Sequence, residues 1–203
     1  MSASTLYAEW AEHKQILERT IATQGDNIQE IIDAIHRCFL DGYKIFLCGN
    51  GGSAADAQHI AGEFVNRFKF DRPALPALAL TTDTSVLTCI ANDSSFENVF
   101  SRQVEALGSK GDILVGISTS GGSPNVLKAI QVAHSKGMLT IAFTGENGRY
   151  SLASKCDLSL VIPSKNTPRV QEGHLFVWHY ICGVIENELF PGGSNYLEID
   201  SSI

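Results

Sequence analysis

Two short segments rich in glycine and hydroxyl residues are the first candidates for chemistry in this chain. Residues 48–53 read CGNGGS, and residues 117–124 read ISTSGGSP. Glycines let a backbone approach an anion closely, and a helix that begins after such a segment offers free N–H groups. Neither segment has the lysine of a P-loop or the complete G-x-G-x-x-G of a dinucleotide site. The pattern therefore predicts a phosphate-binding loop without a lysine.

The second segment is the stronger candidate, because it has four hydroxyl residues within six positions. Ser123 stands where it would cap the following helix, and Pro124 suits the first helical position. A plain hydroxyl-rich turn is the alternative, but the presence of two such segments makes it the weaker interpretation. The hydroxyl residues are Ser118, Thr119, Ser120 and Ser123.

Two ionisable side chains follow the first segment. His59 and Glu63 are four residues apart, so one helix would present both on the same face, where they could reach one metal ion or one substrate. A surface contact is the alternative, and the position behind a phosphate-type loop favours function. Arg67 follows one turn later, and it either adds a positive charge to the site or is an exposed helix arginine.

A second group of polar residues lies nearer the end of the chain. Gln171 and His179 are eight residues apart, a rise of about 12 Å along one helix, which is too far for both to chelate one ion. If both serve one site, either Gln171 lies ahead of the helix or two subunits contribute. His174 lies off the helical face of His179, and we predict a structural or surface role for it.

The elements that must position these residues alternate between short apolar runs and helical stretches. Nearly continuous apolar runs are typical of strands buried on both faces, as in a parallel sheet covered by helices. Five such runs with intervening helices predict an α/β fold with a doubly wound sheet, whose ligands bind beyond the carboxyl ends of the strands. The predicted strands are 44–48, 75–80, 113–117, 139–143 and 158–162.

Helical patterns flank this alternation. Residues 5–40 read as helix, with a break predicted at 24–27 (QGDN) and an end at Asp41-Gly42. A last helix is predicted over 168–189, and the sequence Pro-Gly-Gly at 191–193 ends it. The predicted organisation is one domain over 1–203, made of a helical segment (1–40), an α/β sandwich (41–190) and a tail (191–203).

Bulk composition excludes several classes of protein. The chain has 203 residues, 44% of them hydrophobic and 18% charged, which suits one globular domain. Its net charge of −7 argues against non-specific nucleic-acid binding as its main role, although it leaves room for local basic pockets. No apolar run approaches a membrane span or a signal peptide, so we expect a cytoplasmic protein without membrane or direct nucleic-acid partners. Five scattered cysteines indicate buried reduced thiols, with Cys48, Cys89 and Cys182 in apolar surroundings.

Three motifs together resemble the sugar isomerase (SIS) family and, within it, the phosphoheptose isomerases. They are residues 49–53 (GNGGS), 117–123 (ISTSGGS) and 169–172 (RVQE), and the resemblance runs from the N-terminal helices to Leu189. It implies a flavodoxin-like three-layer αβα sandwich with a five-stranded parallel sheet and N-terminal helices. It also implies a homotetramer whose active sites are shared between subunits.

The same resemblance implies a reaction, a metal and a set of site residues. The reaction interconverts D-sedoheptulose 7-phosphate and D-glycero-D-manno-heptose 7-phosphate through an enediol(ate), for the heptose of lipopolysaccharide or another surface glycan. We assign Glu63 as the base and His179 as the acid, and leave open whether Glu63 is also a metal ligand. The implied zinc ligands are His59, Glu63, Gln171 and His179. The predicted substrate contacts are Asn50, Gly51, Gly52, Ser53, Glu63, Arg67, Asn92, Asp93, Ser118, Thr119, Ser120, Ser123 and Gln171.

The chain departs from the family pattern at two positions. Gly122 stands where many members carry an asparagine in the serine loop, and Pro168 stands where some carry an aspartate. A related non-catalytic protein that binds the replication initiator DnaA is the alternative function. That branch lacks the glutamate and the final histidine, whereas this chain has Glu63 and His179, which favours an enzyme. A phosphosugar-sensing regulator would need an attached DNA-binding domain, for which the stretch before residue 44 leaves little room.

Overall fold

Five parallel strands form the centre of the molecule, with helices on both faces, in the computed structural model, which describes residues 3–192. The predicted α/β class and its five strands are confirmed. The strands are β1 (Ile45–Gly49), β2 (Ala77–Ala79), β3 (Ile113–Ser118), β4 (Leu139–Gly145) and β5 (Leu158–Ile162). The helices are α1 (Ala3–Leu40), α2 (Gly52–Val65), α3 (Thr84–Asp93), α4 (Ser101–Leu107), α5 (Pro124–Ser135) and α6 (Thr167–Leu189). Short 3₁₀ turns lie at Phe96–Asn98, Glu146–Gly148 and Ala153–Lys155.

The order of the strands locates the edge where a ligand would bind. It is β2-β1-β3-β4-β5, and every neighbouring pair is parallel. The chain runs outward from β1 to β2 and then returns to β3 on the other side of β1, so the direction reverses between β1 and β3. Doubly wound sheets bind ligands at such a reversal, outside the carboxyl ends of the strands. Gly49 pairs with Ile117 there, so the loops that follow β1 and β3 begin side by side.

Two separate cores lie on the two faces of the sheet, because side chains alternate along each strand. Ile45, Leu47 and Val115 are fully buried on the face covered by α1, α2 and α6. Phe46 and Leu114 are fully buried on the face covered by α4 and α5. The arrangement is the three-layer αβα sandwich that the resemblance implies.

Helix α1 is continuous over 38 residues, so the break predicted at 24–27 is wrong. Gln24 is buried, and its Oε1 accepts a hydrogen bond of 3.1 Å from the backbone N–H of Val161 in β5. Ile28, Ile31 and Ile32, just beyond Gly25, are buried against the sheet. This packing outweighs the cost of about 1 kcal/mol that a glycine brings to a helix interior.

The region around β2 and α3 is less buried than the sequence predicts. Strand β2 has three residues instead of the predicted six, and Leu78 is exposed, because β2 is an edge strand paired with β1 alone. Helix α3 has no buried residue. Cys89 lies on it and is exposed, so the prediction of a buried thiol is wrong there, while Cys48 and Cys182 are buried as predicted. Among the described residues, no helix is long and apolar enough to cross a membrane. Residues 193–203 of the predicted tail lie outside the described part of the chain.

Candidate active site

The two glycine-rich segments lie at the carboxyl edge of the sheet, on either side of the reversal between β1 and β3. The first connects β1 to α2, and the second connects β3 to α5. Neither helix has a side-chain hydrogen bond to its N-terminal N–H groups from its capping residue, Gly51 or Ser123. Because β1 and β3 are neighbours, the N-termini of both helices lie at the same edge of the sheet. Each carries a partial positive charge, as the phosphate-loop prediction requires.

Hydroxyl groups of the second loop bond to one another and to the loop backbone. The Oγ atoms of Ser118 and Ser123 lie 2.9 Å apart, and Ser118 Oγ accepts from the N–H of Gly121 at 3.1 Å. Ser123 occupies the N-cap position of α5, as predicted, but its hydroxyl does not cap the helix because it pairs with Ser118. Ser120 is exposed, and Thr119 is half-buried.

The segment after β4 supports the back of this loop. Thr144 Oγ1 donates to the carbonyl of Ser118 at 2.6 Å, and the N–H of Gly145 donates to the carbonyl of Thr119 at 3.1 Å. Gly121 has a φ of +68° and lies directly against Gly148, so that a Cβ on Gly121 would collide with the Cα of Gly148. The loop thus has a fixed shape, set partly by residues outside it.

Asn125 is a site residue that the sequence analysis missed. Its side-chain amide forms a reciprocal pair with the amide of Asn50, with both N–H···O distances at 2.9 Å. Asn125 is buried in the first turn of α5, and its Oδ1 also accepts from the N–H of Val126. The pair joins the two loops across the strand reversal. No local pattern in the sequence reveals the pair, because its two members lie 75 residues apart.

Three side chains from two helices converge two to three turns along α2 from the first loop. The ring nitrogens of His59 and His179 and the carboxylate of Glu63 all lie within 4.8 Å of one another. His59 Nε2 is 3.0 Å from Glu63 Oε1, so the predicted sharing of one helical face is confirmed. The imidazoles of His59 and His179 meet edge to face at 5.1 Å. Burial lowers the pKa of His179, and the nearby His59 lowers it further against the opposing charge of Glu63.

Two imidazole nitrogens and a carboxylate oxygen are the donor types that zinc binds in proteins. The separation of at most 4.8 Å lets His59, Glu63 and His179 surround one ion without a large movement. The donor set therefore fits a zinc site with three ligands from one chain.

Gln171 lies inside α6, in its first two turns, so the alternative that it precedes the helix is wrong. Its side-chain amide packs on the backbone of Gly52, where any Cβ would collide with Gln171 Nε2. Gln171 thus touches the first loop, and the helix rise separates it from His179 by about 12 Å. In one chain it belongs to the loops and not to the His–Glu–His cluster.

The structure places the other predicted residues around this edge without joining them to the cluster. Arg67 is half-exposed, and its Nε pairs with Asp71 at 3.2 Å. Asn92 and Asp93 lie exposed at the end of α3, where the amide of Asn92 donates to Asp93 at 2.7 Å. Ser53 is buried in the first turn of α2. His174 is fully buried, as a structural residue, and donates from Nε2 to the carbonyl of Thr144 at 3.2 Å.

The cavity at this edge is small. It has a volume of about 160 Å³ and is lined by the first loop, the start of α2 and the region of Phe96 and Phe100. Ligand pockets for small molecules usually measure roughly 300–1,000 Å³, so a sugar phosphate needs further walls here. A larger cleft of about 470 Å³ lies at the opposite edge, but three acidic residues against one arginine line it, which disfavours an anion; they are Glu30, Asp33, Asp41 and Arg37.

Comparisons with known proteins agree with this geometry. A SIS domain family model matches residues 10–145, which include both loops and α2. The chain is 56% identical over 173 residues to a phosphoheptose isomerase of Burkholderia pseudomallei (strain 1710b), and the match covers 85% of each chain. The solved phosphoheptose isomerase of Neisseria gonorrhoeae has a TM-score of 0.85 at 41% identity, over 91% of this chain and 98% of that one. For that of Francisella tularensis, the TM-score is 0.87 at 35% identity, over 92% and 100%.

Proposed function

The chain belongs to the phosphoheptose isomerases of the SIS-domain family, and we propose that it interconverts D-sedoheptulose 7-phosphate and D-glycero-D-manno-heptose 7-phosphate. The observation that carries the proposal is the His–Glu–His cluster, which includes two residues of the helix that follows the first of the two phosphate-type loops. The loops suit a phosphorylated ligand of any chemistry. The cluster adds the base and the acid that an aldose–ketose isomerisation needs.

The phosphate group binds in the second loop, against Ser118, Thr119, Ser120, Ser123 and the N-terminus of α5. Support comes from the exposed hydroxyl of Ser120 and from the position of the loop at the N-terminus of α5, where the N-cap residue Ser123 makes no side-chain capping bond. Such remote binding energy holds the sugar in place for proton transfer at its other end. Asn50, Gly51, Gly52, Ser53 and Gln171 at the first loop, with Asn92, Asp93 and Arg67, complete the proposed substrate contacts.

Proton transfer occurs between C1 and C2 of the sugar. Glu63 removes a proton from C1 of the ketose, while His179 gives a proton to the oxygen on C2, and the enediol forms. Return of a proton to C2 and loss of the hydroxyl proton on C1 then give the aldose. The lowered pKa of His179 keeps its imidazole neutral at neutral pH, so that its N–H is the donor.

Zinc is the metal that His59, Glu63 and His179 would hold. When bound, it supplies Lewis-acid polarisation of the substrate carbonyl. Gln171 lies too far along α6 to join His179 on one ion, so a shared site would take this ligand from a second subunit. His59 also holds the carboxylate of Glu63 at 3.0 Å, which orients the base when no ion lies between them.

The assembly we propose is a homotetramer with active sites between subunits. Three observations support it: the small cavity at the carboxyl edge, helix α3 without a buried residue, and exposed apolar side chains on α1. The exposed side chains are Leu6, Tyr7 and Trp10. Light scattering of the purified protein measures the mass that decides this point.

An NMR assay in D₂O tests the proposed activity. The purified protein is incubated with D-sedoheptulose 7-phosphate in D₂O, and NMR follows the appearance of the aldose phosphate and its deuterium at C2. We expect product, loss of activity with a zinc chelator, and recovery with added zinc. Failure to form product with zinc present overturns the proposal. Retention of DnaA by such an inactive protein would favour the alternative, which the comparisons do not support. Cytoplasmic location and the glycan served stay predictions.

A further inference from the structure

A buried ion pair lies directly behind the His–Glu–His cluster. Glu186 is on α6, two turns beyond His179, and its carboxylate accepts from Arg72 Nε at 3.0 Å. The side chains of Arg72 and Glu186 are 2% and 1% exposed. The same carboxylate accepts from the backbone N–H groups of Phe68 and Lys69 at 2.8 and 2.7 Å. All of these donors belong to the segment 66–72, which follows α2.

Arg72 binds the other helix of the cluster. Its Nη2 donates to the carbonyl of Glu63 at 2.7 Å, and its Nη1 donates to the carbonyl of Phe64 at 2.9 Å. One guanidinium therefore joins the end of the helix that carries Glu63 to a carboxylate on the helix that carries His179. Charge-assisted bonds of this kind are short and directional, so they fix the distance between the two helices.

Phe68 connects the ion pair to His179. The rings of Phe68 and His179 stack with centroids 5.5 Å apart and planes at 30°. The backbone N–H of Phe68 is held by Glu186, so the carboxylate sets where this ring lies. Phe68, which lies outside both helices, thus packs against the face of the His179 imidazole.

We propose that Arg72 and Glu186 are positioning residues for Glu63 and His179, and that they act on His179 through the ring of Phe68. This inference rests on the proposed function, because it assigns the pair to the same proton transfer. None of the three side chains needs to touch the substrate. Their effect is on the geometry of the base and the acid, in which displacement by an ångström has a large effect on rate.

The chain contains a matched control at the other edge of the sheet. Asp112 is 1% exposed, and it accepts from the N–H groups of Lys44 and Ser109 and from Lys44 Nζ. It is thus a buried carboxylate with two backbone donors and one cation, as Glu186 is. Asp112 lies ahead of β3, far from the cluster. A purely structural role predicts the same behaviour for both.

The experiment compares Glu186→Gln with Asp112→Asn at equal concentrations of folded protein. Both variants should melt at lower temperature than the wild type. We expect Glu186→Gln to lower kcat by roughly tenfold or more, with KM within about twofold, as for residues that support metal or catalytic groups from behind. Asp112→Asn should leave both constants within about twofold. An unchanged kcat in Glu186→Gln, or equal losses in both variants, overturns the proposal.

Phe68 gives a second test that does not depend on the folding of Glu186→Gln. Phe68→Leu should lower kcat, and Phe68→Tyr should keep it near the wild-type value, because tyrosine retains the stacked ring. A wild-type kcat in Phe68→Leu contradicts the inference.

An NMR readout separates this inference from the proposed function. In protein with labelled histidine, the ring current of Phe68 shifts the imidazole protons of His179. Phe68→Leu and Glu186→Gln should change that shift, and Asp112→Asn should not. A wild-type protein without activity on the heptose phosphate overturns the function, whereas an unchanged His179 signal in both site variants overturns the positioning role.

Discussion

The two edges of the same sheet use their polar groups in opposite ways. At the amino edge, the carboxylate of Asp112 is bonded to Lys44 and Ser109, and that of Asp157 accepts from the N–H and the hydroxyl of Thr140 at 2.8 and 2.7 Å. At the carboxyl edge, the serine hydroxyls of the second loop bond to one another. The carboxylate of Glu63 there has a histidine as its neighbour and no bond to the backbone among the described contacts.

Polar groups at the amino edge thus serve mainly to stabilise the fold, whereas those at the carboxyl edge are available for chemistry. A carboxylate bonded to backbone N–H groups stabilises the fold, but it has little capacity left for a ligand. A carboxylate beside an imidazole contributes less to the fold and is available to a metal or a substrate. The comparison predicts large activity effects with small stability effects at one edge, and the reverse at the other.

The largest effect should follow from replacing the proposed base or acid. Glu63→Gln and His179→Ala should each lower kcat by about 10³-fold, as expected for the loss of general acid–base catalysis. The melting temperature should stay within a few degrees, because neither side chain bonds to the backbone of another element in the described structure. Activity assays and thermal melts measure both quantities.

Glu105→Gln is the control for this pair of variants, since Glu105 lies in an exposed ion pair with Arg102 and should change neither quantity. Near-normal turnover in Glu63→Gln or His179→Ala would show that our assignment of roles is wrong. A large loss of stability would remove the contrast between the edges.

The buried His174 near the carboxyl edge should contribute to the pH dependence of the folding stability. Burial lowers its pKa to about 4, and the hydrogen bond to Thr144 opposes that shift. The unfolded chain therefore binds more protons than the native protein between pH 6.5 and 4. Stability is complete above about pH 6.5 and falls as the pH drops toward 4, by about 2 kcal/mol at pH 5.

His174→Gln should remove this part of the pH dependence while keeping a donor for Thr144. Urea unfolding at pH 7.5 and pH 5, at one protein concentration, gives the difference for wild type and variant. The carboxyl groups titrate alike in both proteins, so the comparison isolates the histidine. Equal pH dependence in the two proteins would mean that the buried imidazole accepts its proton without cost.

The smallest effect is expected at Asp157, which lies at the amino edge but is half-exposed, unlike Asp112. Asp157→Ala removes two hydrogen bonds from Thr140, and because the carboxylate is half-exposed the loss should be about 1 kcal/mol. Neither kcat nor KM should change, since the site lies at the other end of the strands. A reduced kcat at unchanged stability would show that the two edges are coupled.

Strands buried on both faces were predictable because their apolar runs are continuous. The observed β3, β4 and β5 start at the predicted residues, and β1 is offset by one. Edge strand β2 has one exposed face and was overestimated. The continuity of α1 through Gly25 was not predictable locally, because it depends on the bond between Gln24 and Val161, which are distant in sequence.

The site was predictable where its residues are close in sequence. Glycines and hydroxyls at two strand ends revealed the loops, and a spacing of one helical turn joined His59 to Glu63. The meeting of His59 with His179 followed from the family resemblance alone. Phe68, Arg72 and Glu186 carry no local pattern, since the bonds between them span more than 100 residues. The amide pair of Asn50 and Asn125 also carries no local pattern, since the two residues lie 75 positions apart.

The contact between Gly121 and Gly148 has a consequence for how this sequence can vary. A Cβ on Gly121 would meet Gly148, and one on Gly148 would meet the side chain of Thr144. Neither position can therefore accept a single substitution without moving its neighbour, although neither glycine offers a functional group. The shape of the site thus depends on the absence of a side chain at these two positions as much as on the side chains that carry the chemistry.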